Sequence, residues 1–147
     1  MSSLRALLFA VACVLLPAAT IAQDIQPHRL AIQISTDDPA LMTLALNNAV
    51  NIARHYSETG EEFEIEIVAY GPGVHMLRAD TSPVKDRIKS VGQSIPETTF
   101  TACGNTLEIM RKQEGKEIAL LPGVKVVQTG VARLIELQEQ GWSYIRP

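Results

Sequence analysis

The sequence contains two cysteines, and the second of them, Cys103, is the residue whose type and position best suit chemistry. The first, Cys13, lies in an apolar N-terminal stretch that we expect to be removed on export. A single cysteine in an oxidising compartment cannot form an internal disulfide, so it indicates an intermolecular pairing or a free reactive thiol. The alternative is that Cys103 is a small packed residue, because free cysteine is among the most buried residue types.

The N-terminal stretch has the pattern of a secretory signal peptide. Arg5 precedes an apolar run from Ala6 to Leu16, and Pro17 and a group of small residues follow that run. The run is shorter than the ~20 residues that a membrane-spanning helix needs. The alternative, a buried N-terminal helix, leaves both the charge of Arg5 and the small residues unexplained.

The small residues also predict where the signal peptide is cut. Thr20 and Ala22 stand three residues and one residue before the predicted cleavage site, so Gln23 is the first residue of the exported chain. We therefore expect residues 1–22 to be a signal peptide. Residues 23–147 are expected to form a single domain in the periplasm, with no membrane span in the exported chain.

The charge pattern bears on the partners of the exported domain. The whole chain carries 13 basic and 16 acidic residues, and removal of Arg5 adds to the acidic excess. No cluster of lysine and arginine interleaved with aromatic residues is present in the sequence. Since nucleic-acid binding depends on neutralising phosphates with basic side chains, nucleic acid is not an expected partner.

Strands and helices alternate along the exported chain. Five strands are predicted, at Leu30 to Ile34, Ile65 to Ala69, Thr98 to Ala102, Val124 to Val127 and Trp142 to Ile145. Helices are predicted between them, at Pro39 to Ser57, Pro83 to Gly92, Gly104 to Gln113 and Val131 to Gln140, with a helical turn through Met76 and Leu77. This alternation predicts an α/β fold, with a mainly parallel five-stranded sheet covered by helices on both faces.

In such a sheet, ligands and chemistry collect where loops leave the carboxyl ends of the strands. Four segments occupy those positions: Ser35 to Asp38, Gly71 to His75, Cys103 to Thr106, and Gln128 to Gly130. Cys103 also lies at a strand-to-helix junction, where unpaired N–H groups and the helix dipole favour a thiolate over a thiol. These two features favour a functional cysteine over a packed one.

The residues after Cys103 are candidates for an anion pocket. Gly104 allows the backbone to approach closely, and Asn105 and Thr106 supply N–H groups and polar side chains. The alternative is that Asn105 and Thr106 cap and begin the next helix.

Two residues elsewhere are weaker candidates for the same pocket. His75 follows the glycine turn and would be a proton donor or acceptor if the second and third strands are neighbours. The alternative for His75 is a loop histidine without a function. Asn48 lies in a helix interior, where asparagine is uncommon, so it either lines a polar pocket or belongs to a solvated face.

Other chemistries find little support in the sequence. His28 and His55 have no second ligand at metal-binding spacing, so no metal site is predicted. The segment Gly71 to Gly73 lacks the lysine and spacing of a phosphate loop, and no Gly-x-Ser-x-Gly motif is present. No cofactor is predicted.

Five stretches of the chain are informative in their order and spacing: Ile34 to Pro39, Ala45 to Ala49, Tyr70 to Val74, Ala102 to Thr106, and Gly130 to Gln138. Together they resemble the DsrE/DsrF-like family of small sulfur-handling proteins. The resemblance implies a three-layer α/β/α domain with a five-stranded parallel sheet, in a family that commonly forms homo- or hetero-oligomers. It also implies that Cys103 accepts sulfur as a persulfide and passes it to a partner protein.

Two hypotheses follow for the function. The first is a periplasmic sulfur-binding or thiol-relay protein that carries a persulfide on Cys103, with a sulfur donor or acceptor protein as its partner. It is a carrier more than an enzyme that turns over. The second is a noncatalytic oligomeric binding module in which Cys103 is structural.

Overall fold

Five parallel strands form the centre of the protein. The computed structural model describes residues 26–147, so the predicted signal peptide and the predicted N-terminus at Gln23 lie outside the described residues. The strands are β1 (His28–Ile34), β2 (Phe63–Ala69), β3 (Thr98–Cys103), β4 (Lys125–Val127) and β5 (Ser143–Ile145). They stand in the order β4-β3-β2-β1-β5, and every neighbouring pair is parallel. The predicted parallel sheet is confirmed.

Helices connect the strands. They are α1 (Pro39–Thr59), α2 (Lys85–Ser94), α3 (Gly104–Glu114), α4 (Gly130–Glu139), and a 3₁₀ helix (Gly71–Leu77). The predicted helix at Pro83 to Gly92 begins two residues later than expected, because Val84 has φ −122° and ψ 19°, outside the helical range. Within residues 26–147 no helix is both long and apolar enough to cross a membrane.

The two ends of α1 follow from its sequence. The Asp38 carboxylate accepts a hydrogen bond from the N–H of Ala40 at 2.8 Å, and Pro39 occupies the first turn, where a missing N–H costs nothing. Gly60 ends the helix with φ 71°, a backbone conformation that favours glycine. Asp38 is therefore the N-cap residue of α1.

Apolar side chains cover both faces of the sheet. On one face, α1, α2 and the 3₁₀ helix pack on a cluster that includes Ile32, Ile67 and Phe100. On the other face, α4 packs Leu134 and Leu137 on Ala31 and Val68, the four residues of a second cluster. Burial of these side chains supplies the main driving force for folding. The layers are helix, sheet and helix, as the resemblance implied.

The 3₁₀ helix extends beyond the predicted turn through Met76 and Leu77, since it begins at Gly71. Gly73 lies so close to β1 that a Cβ atom added to it would stand 2.2 Å from the carbonyl oxygen of Ile34. Only glycine fits at that approach. The close contact holds the start of the 3₁₀ helix against the carboxyl ends of β1 and β2.

Buried Arg78 ties the end of the 3₁₀ helix to α3. Its guanidinium donates hydrogen bonds to both carboxylate oxygens of Asp80, at 2.9 and 2.8 Å, and to both oxygens of Glu114. Lys116 adds an ion pair to Asp80 at 3.0 Å. The N–H of Leu121 also donates to the carbonyl oxygen of Leu77 at 2.9 Å. These contacts anchor the chain between α3 and β4.

Candidate functional site at Cys103

Cys103 is the last residue of β3 and the N-cap residue of α3. Its backbone is extended, with φ −77° and ψ 116°, and its thiol is free. The residue is only 5% exposed. Cys103 therefore occupies the carboxyl edge of the sheet, at the junction where the sequence predicted it.

The groups around the sulfur atom favour its charged form. Burial raises the pKa of Cys103. Four hydrogen-bond donors lower it and together outweigh burial: the N–H of Gly130, the hydroxyl and N–H of Thr106, and the N–H of Asn105. The net effect lowers the pKa of the thiol. In the protonated state, the thiol donates to the carbonyl oxygen of Gln128 at 3.9 Å. The pocket thus stabilises a thiolate with neutral donors.

Gly130 brings a second helix to the sulfur. A Cβ atom on Gly130 would stand 3.2 Å from the Cβ of Cys103 and 3.1 Å from the Cβ of Tyr70. Because Gly130 is the first residue of α4, its N–H is one of the donors that the helix leaves without an internal partner. The N-termini of α3 and α4 therefore meet at Cys103, and both dipoles favour negative charge there.

Thr106 joins the 3₁₀ helix to the thiol. Its hydroxyl oxygen accepts a hydrogen bond from the N–H of Gly71 at 2.9 Å, which leaves the hydroxyl proton for Cys103. The alternative prediction is that Asn105 and Thr106 cap and begin α3. Both residues lie in its first turn, but neither caps it, because Cys103 is the N-cap residue and no side chain makes a capping hydrogen bond. Both side chains make contacts across the pocket instead.

A chain of polar side chains borders the pocket on the β4 side. The Gln128 amide donates to the side-chain oxygen of Asn105 at 2.6 Å, and the Asn105 amide donates to the hydroxyl of Thr129 at 3.1 Å. Gly104 packs closely on the end of β4, since a Cβ atom on it would lie 3.1 Å from the carbonyl oxygen of Val127. Gly104, Asn105 and Thr106 are thus all gathered at Cys103.

The structure places the other two predicted site residues away from these hydrogen bonds. β2 and β3 are neighbours, as the hypothesis for His75 required, but the His75 ring pairs with the hydroxyl of Thr81 at 3.0 Å. Asn48 is half-buried in the middle of α1. Among the hydrogen bonds of residues 26–147, none joins His75 or Asn48 to Cys103. Their part in the site stays a prediction.

An ion pair between half-buried Arg133 and buried Glu66 lies one helical turn along α4 from the pocket, and it was not predicted from the sequence. Arg133 donates two hydrogen bonds to the carboxylate of Glu66 on β2, at 3.0 and 2.8 Å. The hydroxyl of Thr101 donates to the same carboxylate at 2.8 Å. The signal that could have indicated it was Glu66, the charged residue inside the predicted apolar strand Ile65 to Ala69.

Among residues 26–147, no group of three or more histidine, cysteine, aspartate or glutamate residues could hold a metal ion. In the same range, no hydrogen bond or ion pair joins a charged side chain to Cys103. The chemistry open to the pocket is that of a thiolate held by neutral donors.

The sequence profile of the DsrE/DsrF-like family matches residues 29–147, which is most of the chain. The chain belongs to the DsrE/DsrF-like family. Membership of this family supports a sulfur-relay-like role. Among curated proteins, no sequence matches the chain at a significant level.

Among solved structures, the chain is similar to MTH1491, a protein of unknown function from Methanobacterium thermoautotrophicum. The two sequences are 34% identical, and the similarity covers 82% of this chain and 99% of that protein. The TM-score of 0.69 is that of a shared fold. This solved structure therefore supports the α/β fold with a five-stranded parallel sheet but adds no activity.

Proposed function

We propose that this DsrE/DsrF-like protein is a periplasmic sulfur carrier that holds a persulfide on Cys103. One observation carries the proposal: the Cys103 side chain lies where the N-termini of α3 and α4 meet, and the N–H and hydroxyl groups there lower the pKa of its thiol. Such donors stabilise a thiolate, which is the nucleophilic form of cysteine. They would stabilise the anion of a persulfide in the same way.

The transfer step needs no oxidant or reductant. The Cys103 thiolate attacks the outer sulfur of a donor persulfide, R–S–SH, so that a new S–S bond forms on Cys103 while the donor S–S bond breaks. The donor leaves as the thiolate R–S⁻, and the transferred sulfur keeps its proton or loses it to solvent. Attack on that sulfur by an acceptor thiolate then releases Cys103 as a thiolate.

The proposal also covers the location and the partners. The leader from Arg5 to Ala22 supports export, and family membership supports assembly into oligomers. Val131 and Ile135 lie one turn apart on α4 and are 47% and 51% exposed. Such apolar side chains suit a contact with another copy or with a sulfur donor or acceptor protein.

Sulfur loading tests the proposal directly. The full chain with Cys13→Ser has Cys103 as its one thiol and is treated with polysulfide, and the mass of the intact protein is measured before and after reduction. We expect one reducible sulfur atom on this protein and none on the matched variant that also carries Cys103→Ser. Failure of the single-thiol protein to gain sulfur under conditions that load a small-molecule thiol would refute the carrier function.

The second hypothesis, an oligomeric binding module with an inert cysteine, is favoured by one observation. Cys103 is 5% exposed, and a sulfur atom so enclosed is slow to meet a large reagent. The rate at which a small alkylating reagent modifies folded protein separates the two functions. A carrier reacts at neutral pH faster than the same thiol in urea, whereas an inert packed cysteine reacts more slowly.

A further inference from the structure

The residues that hold α4 on the sheet lie apart from Cys103 itself. α4 packs on the sheet through Leu134 and Leu137, and near its first turn through the polar pair of Arg133 and Glu66. Glu66 is 4% exposed and lies on the central strand β2. A buried carboxylate without a partner is strongly destabilising, and Arg133 donates two parallel hydrogen bonds to the carboxylate of Glu66.

The two parallel hydrogen bonds fix both the distance and the relative orientation of the Arg133 and Glu66 side chains. Apolar packing does not fix the orientation in this way. Arg133 is three residues after Gly130, and its N–H donates to the carbonyl oxygen of Thr129 at 3.1 Å, so it belongs to the same first turn. Thr101, which also binds Glu66, is two residues before Cys103 on β3. The pair thus links the strand that ends in Cys103 to the helix that begins at Gly130.

We propose that Glu66 and Arg133 are positioning residues that set the first turn of α4 against Cys103 and thereby control how reactive the thiol is. The inference rests on the proposed function, because it concerns the thiolate that would carry sulfur. Neither residue touches the sulfur in any hydrogen bond of residues 26–147. They affect the reactivity of Cys103 by setting where the Gly130 N–H lies relative to the sulfur atom.

The test must remove the pair without leaving a charge behind. If only Arg133 were replaced, the Glu66 anion would remain without its partner. If only Glu66 were replaced, the Arg133 cation would remain. Either charge would change the thiol directly. A triple variant, Glu66→Leu with Arg133→Met and Thr101→Val, removes the pair and the third hydrogen bond together. It keeps similar volumes, and replacements of this kind are often tolerated. Glu136, 3.5 Å from Arg133, stays on the solvent side.

The measurement is the rate of alkylation of Cys103 by iodoacetamide against pH, in the full chain carrying Cys13→Ser. We expect the midpoint of the profile to rise by about one pH unit in the triple variant, and the rate below both midpoints to fall about tenfold. Ile88→Val, which shortens a buried side chain of α2 on the opposite face, is the control for general destabilisation and should leave the midpoint unchanged.

Two outcomes would overturn the inference. One is a cooperatively folded triple variant with the wild-type midpoint and rate. The other is an equal shift in Ile88→Val, which would assign the effect to lower stability. Because iodoacetamide carries no sulfane sulfur, this result does not depend on persulfide loading. Failure of the carrier function would appear only in the polysulfide experiment.

Discussion

Gly130 and Cys103 approach each other so closely that a Cβ atom on the glycine would lie 3.2 Å from the Cβ of the cysteine. The two residues are far apart in the sequence, and each is at the start of a helix. Their contact places the N–H of Gly130 at the sulfur atom, where it lowers the pKa of Cys103.

Gly130→Ala should displace the first turn of α4, because the new Cβ meets Tyr70 and Cys103 at distances tighter than ordinary contact. We expect the free energy of unfolding to fall by ~1–3 kcal/mol and the pKa of Cys103 to rise as the Gly130 N–H moves away. Denaturant melts and the pH profile of alkylation measure both effects.

Gly92→Ala is the matched control for that substitution. Gly92 lies in the interior of α2, and a Cβ there meets only Phe100, at 4.0 Å. Alanine should therefore stabilise the protein by ~0.5–1 kcal/mol through helix propensity and leave Cys103 unchanged. A Gly130→Ala protein as stable and as reactive as wild type would mean that the close approach is not needed.

Thr106→Val removes the hydroxyl that accepts from the Gly71 N–H and donates to Cys103. The Gly71 N–H is left without that acceptor, and we expect a loss of ~1–3 kcal/mol in the free energy of unfolding with a rise in the pKa of the thiol. Thr106→Ser keeps the hydroxyl and should restore the pKa. If serine and valine give the same alkylation profile, the hydroxyl does not act on Cys103.

Cys103→Ser and Cys103→Ala should differ in stability. The pocket already holds N–H donors that a serine oxygen can use, so Cys103→Ser should stay within about 1 kcal/mol of wild type, while Cys103→Ala leaves a small cavity and unpaired donors. Neither variant should load sulfur. A serine variant destabilised by ~1–3 kcal/mol, beside a wild-type protein that never gains sulfur, would assign Cys103 to the core.

Acid should weaken the protein through the Arg78 cluster. Hydrogen bonds from Arg78 are the main cause that lowers the pKa values of Asp80 and Glu114, with Lys116 contributing. A carboxyl whose pKa is lowered by folding stabilises the folded state above its unfolded pKa, about 4. That stability is lost as the pH falls further, towards the lowered values.

Glu114→Gln should therefore lower the free energy of unfolding at neutral pH. Below about pH 4, this free energy should fall less in the variant than in wild type. Unfolding by urea at a series of pH values, for wild type and variant, measures the difference. Glu139→Gln is the control, because Glu139 is an exposed residue of α4 and takes part in none of the ion pairs found within residues 26–147. Parallel pH curves for wild type and Glu114→Gln would show that the cluster does not contribute.

Export predicts a defined N-terminus. Protein recovered from the periplasmic fraction should begin at Gln23, because Thr20 and Ala22 precede the cleavage site. Mass spectrometry of the intact protein decides this. A chain that keeps Met1 and stays in the cytoplasm would contradict both the signal peptide and the periplasmic location.

Local patterns along the chain predicted the sheet and most of the helices. The alternating apolar residues from Leu30 to Ile34 and the cap at Asp38 act within a few residues, so their effects are visible in sequence. Helix boundaries were harder to locate, as at Lys85, because Pro83 suits a turn segment as well as the first turn of a helix. The sequence also predicted that Cys103 lies at the carboxyl end of its strand, where the carboxyl ends of parallel strands come together.

By itself, then, the sequence determined the α/β alternation, the family resemblance and the place of Cys103 at a strand-to-helix junction. Only the tertiary structure decided which groups surround the sulfur. Gly130 contacts Cys103, Thr106 accepts from Gly71, and Arg133 pairs with Glu66 across 67 positions of sequence. Such contacts depend on strand order and on the closeness of two helix N-termini, and no local propensity encodes either of them.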